Sequence, residues 1–248
     1  MSELIGIERR GPVLAIRFQR PEKKNAITGE MYASITRAFV EGEANPDVRA
    51  YVLFGSGGAF TAGNDIADFQ RTGSLVTGAA DIVRFLTLVA GLEKPLLAGV
   101  DGLAVGVGTT LLMHCDMVYA TPAAWFQTPF TALGLVPEAG SSLIGPRLLG
   151  HAVAFELLVA GRRLSAERAL SAGLINAIHE ADALEAETLK LAAEIAALPP
   201  EAVTLSKRLL KGDGAAVAAR IRHEVEIFAE RLKTPEAQAA FAAFFATR

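Results

Sequence analysis

The stretch Lys94-Pro-Leu-Leu-Ala-Gly-Val-Asp-Gly-Leu-Ala-Val-Gly-Val-Gly-Thr-Thr110 joins two patterns. Leu96–Val100 is a short apolar run that reads as a buried strand. Gly102–Met113 is Gly-rich and then apolar, so a loop is expected to run into a buried helix. Gly106 and Gly108 stand at that changeover. Glycine permits φ > 0 and lets backbone approach a ligand or another element closely. The first N–H groups of a helix have no intrahelical partner and favour negative charge. Spacing alone leaves two readings open: a preorganised anion site made of backbone N–H groups, or close packing of a buried helix.

The same alternation extends outward. Val13–Phe18 reads as a strand ending at Arg20-Pro21. Thr28 starts a helix with Met31, Ile35 and Phe39 on one face, and Asn45-Pro46 stops it. Ala50–Phe54, Met117–Ala120, Trp125–Gln127 and Ile175–Ile178 read as short strands, and Asp81–Leu92 as amphipathic. After Gly140 the chain turns helical, with Ser165 and Gly173 as the cap and stop of one helix. From Asp182 onward only helices are expected, broken at Pro199-Pro200 and restarted at Thr234-Pro235. This order predicts an α/β core over 1–197 and an all-helical region over 198–248.

Composition narrows the function classes. The chain has 248 residues, 51% hydrophobic, enough for a sizeable core. A net charge of −3 argues against general nucleic-acid binding, but leaves room for a small anionic ligand held by a local basic cluster. Cys115, the single cysteine, lies among apolar neighbours and reads as a buried, inert thiol. No uninterrupted apolar run suggests a signal peptide or membrane span, and the C-terminus is no peroxisomal address, so a cytoplasmic protein is expected.

Two further segments stand out: Ala59-Phe-Thr-Ala-Gly-Asn-Asp-Ile66, and Phe126-Gln-Thr-Pro-Phe-Thr-Ala-Leu-Gly-Leu-Val-Pro-Glu-Ala-Gly-Ser-Ser142. Neither Gly106-Val-Gly108 nor Gly55-Ser-Gly57 completes a G-x-G-x-x-G fingerprint, and no P-loop is present. Taken together, Arg20-Pro-Glu-Lys-Lys-Asn-Ala-Ile27, Ala62-Gly-Asn-Asp-Ile66, the Lys94–Thr110 stretch and Cys115-Asp-Met-Val-Tyr-Ala120 resemble the crotonase (enoyl-CoA hydratase/isomerase) superfamily in order and spacing. The resemblance runs from about Leu4 to the C-terminus. It implies a spiral of ββα units, a C-terminal helical region used in trimerisation, and acyl-CoA substrates. It implies a homotrimer or a dimer of trimers. It also implies an oxyanion hole from the backbone N–H groups of Asn64 and Val107, with Ala62, Gly63, Asp65, Ile66 and Gly106 lining the substrate. Lys24, with Lys23 and Arg20, either meets CoA phosphates or belongs to a solvated basic loop.

The resemblance also bears on the reaction. The two catalytic glutamates typical of hydratases fall here on Thr110 and Phe130, which cannot act as carboxylates. Glu138 remains, between apolar residues at the predicted start of a helix. Burial raises such a pKa and a helix N-terminus lowers it; the residues alone leave the balance open. The string around Glu138 is similar to peroxisomal-type 3-enoyl-CoA to 2-enoyl-CoA isomerases, whose base sits at this position. The implied reaction is a proton shuttle by Glu138, with Phe130 and Trp125 helping to exclude water, or being plain core residues. It needs no metal and no cofactor beyond the CoA of the substrate. A relocated hydratase or hydrolase chemistry, or a non-catalytic acyl-CoA-binding scaffold, are the alternatives. Asp65 reads as a turn or cap residue, with Asp68 another nearby carboxylate. Asp101 and Asp116 are expected to bind backbone N–H groups, and His114 to be a satisfied core histidine. His151, His179 and His223 are too dispersed for a metal site. Ile221, Val225, Phe228 and Leu232 mark a helix face buried on the core or on a partner.

Overall fold

A computed structural model describes residues 3–66 and 77–246 of the chain. β1 (Ile5–Arg10) and β2 (Val13–Phe18) form an antiparallel hairpin with Ile7 opposite Ile16. Thr28 then caps α1 (Gly29–Ala44), its hydroxyl accepting from Met31 N–H at 3.3 Å. The following turns of chain each contribute two strands: β3 (Ala50–Phe54) and β4 (Ala59–Thr61), β5 (Leu96–Val100) and β6 (Leu103–Val105), β7 (Met117–Ala120) and β8 (Trp125–Gln127). One strand of each pair joins a larger sheet and the other a smaller one. With β9 (Leu164–Ser165) and β10 (Ala177–Ile178), the orders are β1-β2-β3-β5-β7-β10 and β4-β6-β8-β9. β3, β5 and β7 pair in parallel, as do β4, β6 and β8, so successive turns stack along one axis. This is the expected spiral of ββα units.

Burial explains the sequence patterns. β3 and β5 are buried along their whole length, so they read as continuous apolar runs without alternation. One face of the larger sheet contributes Leu53 and Ala98 to the main core, with Tyr32 and Phe39 of α1 and Phe85 of α2 (Thr77–Ala90). Its other face packs Val13, Val52, Phe54 and Leu97 against Ala192 and Ala196. These last two belong to α6 (Ala181–Ala196), which follows α3 (Val107–Thr110), α4 (Ser141–Leu158) and α5 (Ala166–Ala172).

The last helices are α7 (Pro200–Lys211), α8 (Gly214–Leu232) and α9 (Pro235–Ala246). They are fastened to the core by specific groups. Lys207 Nζ, on α7, donates to Lys94 O at 2.6 Å and pairs with Asp116 at 2.7 Å. On α8, Ile221 is buried, and Val225, Phe228 and Leu232 pack against the same core, as the apolar spacing anticipated. Among the described residues no helix is long and apolar enough to cross a membrane.

Local pattern misjudged a few short elements. Gly102–Met113 is not simply loop then helix, because Leu103–Val105 pairs with β8 before α3 begins. β4 was not foreseen: three residues offer too little periodicity, and its partner lies in the next turn of the spiral. Only Ala177–Ile178 of Ile175–Ile178 is strand; Ile175 is buried in the core instead.

Candidate active site

Because β4, β6 and β8 run in parallel, the segments that leave them emerge at one edge of the smaller sheet. Such edges are the usual place for ligands in parallel sheets. The segment after β4 is Ala62–Ile66, the one after β6 begins at Gly106, and the one after β8 leads to buried Phe130.

Ala62–Asp65 lies along Lys24–Ile27. Ala62 N–H donates to Lys24 O at 2.8 Å, Ile27 N–H to Gly63 O at 2.8 Å, and Asp65 N–H to Ile27 O at 2.9 Å. In this parallel bridge the N–H of the intervening Asn64 points away from Ile27. Gly63 has φ +86°, and a Cβ there would lie 2.6 Å from Val105 O, so only glycine lets this segment touch the end of β6. Gly106 has φ 57° and ψ −123° as the residue before α3, and a Cβ on it would meet nothing within 4 Å. That glycine therefore answers to backbone conformation and faces open space. Val107 N–H is the first of α3. Neither it nor Asn64 N–H makes a backbone hydrogen bond among the described residues.

One turn further along α3, the Thr110 hydroxyl donates to Glu138 Oε1. Glu138 is 6% exposed, and burial pushes its carboxyl up to about 7. The Thr110 hydrogen bond opposes that shift and the nearby Glu224 charge adds to it. The helix after Glu138 starts later than expected. α4 begins at Ser141 with Gly140 as its cap, so Glu138 precedes the helix. The N–H groups of Gly140 and Ser142 are taken by Glu224 instead, at 2.6 and 3.0 Å. Burial therefore decides the balance that local sequence left open.

Tyr32 joins the two halves. Its hydroxyl donates to Asn64 Oδ1 at 2.5 Å. Burial, and secondarily the charge of Glu138, holds its phenol far above the usual range. Sequence reading did not single out Tyr32 for a role; its signal was a hydroxyl on an otherwise apolar helix face. Glu224 was missed for a different reason, since it sits on a C-terminal helix whose apolar residues drew the eye.

Arg20 and Asp65 form an ion pair at 2.5 Å that the sequence reading did not anticipate, 16% and 14% exposed, and Arg20 also donates to Ala26 O at 3.0 Å. Asp65 directly precedes helical Ile66, the cap position expected of it. The pair holds the Ala62–Asp65 segment against the Pro21–Asn25 turn. Lys23 and Lys24 are exposed beside it, Lys24 with φ 49°. Asp68 lies outside the described residues.

The remaining side chains behave as structural groups. His114 is buried, pushed down to about 4 by desolvation, and its Nε2 lies 2.7 Å from Ala139 O. Burial and Asp116 push the Cys115 thiol up to about 12. Asp116 accepts from Leu96 N–H at 2.8 Å, whereas Asp101 accepts from the Thr121 hydroxyl at 2.9 Å rather than from an N–H. Arg163 stacks over the Trp125 ring at 4.0 Å. Among the described residues no three His, Cys, Asp or Glu side chains form a metal-binding group.

Residues 8–248 match the family model described as enoyl-CoA hydratase/isomerase. Enoyl-CoA delta isomerase 2 of Rattus norvegicus is 36% identical over 85% of this chain, which spans only 55% of that protein. The chain thus covers about half the length of this curated relative. A probable enoyl-CoA hydratase of Rhizobium meliloti is 32% identical over 99% of the chain and 96% of its own length. The crystal structure of an enoyl-CoA hydratase/isomerase from Pseudoalteromonas atlantica superposes with a TM-score of 0.94 at 42% identity, covering 99% of this chain and 98% of that one. From the spiral of stacked strand pairs to these likenesses along nearly its whole length, the chain belongs to the enoyl-CoA hydratase/isomerase family and has the crotonase fold.

Proposed function

We propose that the protein isomerises 3-enoyl-CoA to 2-enoyl-CoA with Glu138 as the sole proton carrier. The observation that carries this reading is the buried Glu138 carboxyl, pushed up to about 7 and hydrogen-bonded to α3 one turn beyond the unengaged Val107 N–H. A base is most effective when its pKa lies near the working pH. The thioester carbonyl sits between Asn64 N–H and Val107 N–H. Glu138 removes a proton from C2, and the dienolate oxygen is held by the two N–H donors. The new carboxylic acid returns the proton to C4, which moves the double bond into conjugation. Donors of this kind are each worth about 10²–10³ in rate. The shuttle needs no activated water and no cofactor beyond the CoA carried by the substrate.

The absence of carboxylates at Thr110 and Phe130 supports isomerisation over hydration, as does the likeness to a delta isomerase. Ala62, Gly63, Asp65, Ile66 and Gly106 line the acyl-CoA in this reading, and exposed Lys23 and Lys24 take its phosphates. Phe130 closes the acyl end. Assembly as a trimer or pair of trimers belongs to the same proposal, supported by the exposed Leu205, Leu209 and Leu210 on α7.

The decisive experiment mixes medium-chain 3-enoyl-CoA with wild type and with Glu138→Gln and follows the conjugated product. Turnover that collapses in the variant supports the reading. Turnover that survives moves the base elsewhere. A 3-hydroxyacyl-CoA product from 2-enoyl-CoA, at a rate exceeding isomerisation, replaces the reading with hydration.

A further inference from the structure

We propose that Glu224, carried by α8, is the positioning residue of the turn that bears Glu138, which makes the C-terminal helical region a working part of the site. Its kinetic consequences rest on the isomerase reading above.

The turn is unusual in its backbone. Ala139 has φ 62° and Gly140 has φ 72°, two successive left-handed residues of which the first is not glycine. Such a bend persists only where its surroundings hold it. Two groups do so from opposite sides. The neutral His114 ring, with its Nε2 at 2.7 Å, donates to Ala139 O. The Glu224 carboxylate accepts from Gly140 N–H at 2.6 Å, from Ser142 N–H at 3.0 Å and from the Ser142 hydroxyl at 2.5 Å. Arg220 also donates to Ser142 Oγ at 3.0 Å. Behind Gly140, a Cβ would lie 3.3 Å from both Val217 and Ile221 of α8, so the helix packs closely against the turn.

The placement has a chemical consequence for Glu138. α4 is broken at Gly150, and the first N–H groups of its leading segment attract the nearest carboxylate. Without Glu224 that carboxylate is Glu138, which would be drawn out of position to cap the helix. With Glu224 in place, Glu138 keeps only the Thr110 hydroxyl as a donor among the described residues. The charged and titratable groups around Glu138 are Tyr32 from α1 and Glu224 and Arg220 from α8. His114 lies beneath the turn, with Lys211 of α7 donating to its carbonyl at 2.9 Å. Removing the Glu224 charge relieves a like-charge repulsion, so Glu138 should titrate at lower pH.

The test compares wild type, Glu224→Gln and Glu224→Ala, each labelled with ¹³C at the glutamate carboxyls and free of substrate. The resonance missing from Glu138→Gln assigns Glu138. Its midpoint is expected to fall by about one pH unit in both Glu224 variants. With 3-enoyl-CoA, kcat is expected to fall roughly 10²-fold in Glu224→Ala with KM nearly unchanged, and less in Glu224→Gln, which retains an acceptor oxygen. If Glu224→Ala does not fold, Glu224→Gln decides alone. Folded variants with a lower Tm but an unmoved Glu138 midpoint and an unchanged kcat would reduce Glu224 to a structural cap and overturn the proposal. If wild type does not isomerise 3-enoyl-CoA the reaction reading sinks, and the positioning role then stands only if Thr110→Val no longer moves the Glu138 midpoint once Glu224 is alanine.

Discussion

Asp65 and Glu138 are two carboxylates on opposite sides of the same candidate site, and the fold treats them in opposite ways. Asp65 is given a guanidinium partner, Arg20, at 2.5 Å. Glu138 is buried with one hydroxyl donor and a like charge nearby, so its proton affinity rises. The first arrangement uses charge to lock a loop. The second leaves a charge poorly compensated, which costs stability and raises proton affinity toward neutral pH, as the proposed base requires. Carboxylate position alone would not separate these roles; the partners do.

The difference can be broken by exchange of function. Glu138→Gln is expected to lower isomerisation on the order of 10³-fold, whereas Asp65→Asn lowers it less than about tenfold, measured by formation of conjugated 2-enoyl-CoA. Comparable losses in the two variants would erase the distinction. Next in size is the structural side. Arg20→Leu takes the guanidinium away from a largely buried Asp65, and is expected to cost roughly 2–3 kcal/mol in urea unfolding, below the range for fully buried pairs. Removing both partners should recover much of that loss.

Stability sharpens the comparison in the other direction. The Glu138 carboxyl titrates near 7 in the fold against an ordinary value of 4.5. Protonation is therefore favoured by folding, so its stabilising contribution is full below pH 4.5 and lost as pH rises through about 7. Glu138→Gln is expected to be more stable than wild type at pH 8, by on the order of 3 kcal/mol, with the advantage vanishing at pH 4.5. Thermal melts at the two pH values check this, and an equal shift at both would contradict it. The smallest effect belongs to Thr110. Thr110→Val removes the hydrogen bond that lowers the Glu138 pKa, so the acidic limb of the rate profile should move upward. The rate at pH 6 should fall roughly fivefold while that at pH 9 is nearly unchanged, since one hydrogen bond is worth about 1 kcal/mol.

What could be read from the residues follows the range of the interactions. Strands β2, β3, β5, β7 and β8, the Thr28 and Ser165 caps and the backbone loops at Gly63 and Gly106 depend on neighbours in sequence, so they were legible. The core role of His114 was legible because its surroundings are uniformly apolar. Glu138 was found through family resemblance, not local chemistry, because its local context supports opposite pKa shifts. The deciding groups come from distant elements: Glu224 from α8 occupies the helix start, and Tyr32 from α1 links Asn64 to the Glu138 field. The Arg20–Asp65 pair was hidden for the same reason, since nothing near Arg20 in sequence announces a carboxylate from the loop after β4.

The contact between Thr110 and Glu138 bears on how chemistry is redistributed within this fold. Thr110 occupies the place where hydratases are expected to carry a glutamate, yet its side chain already reaches the carboxylate that comes from the turn before α4. Two chain positions thus converge on one small volume. A Thr110→Glu exchange in the presence of Glu138 would set two acids head to head, and one would have to stay protonated. A lineage could move its acid from one backbone address to the other without moving the point of proton transfer, but it would gain the new acid most easily by surrendering the old one.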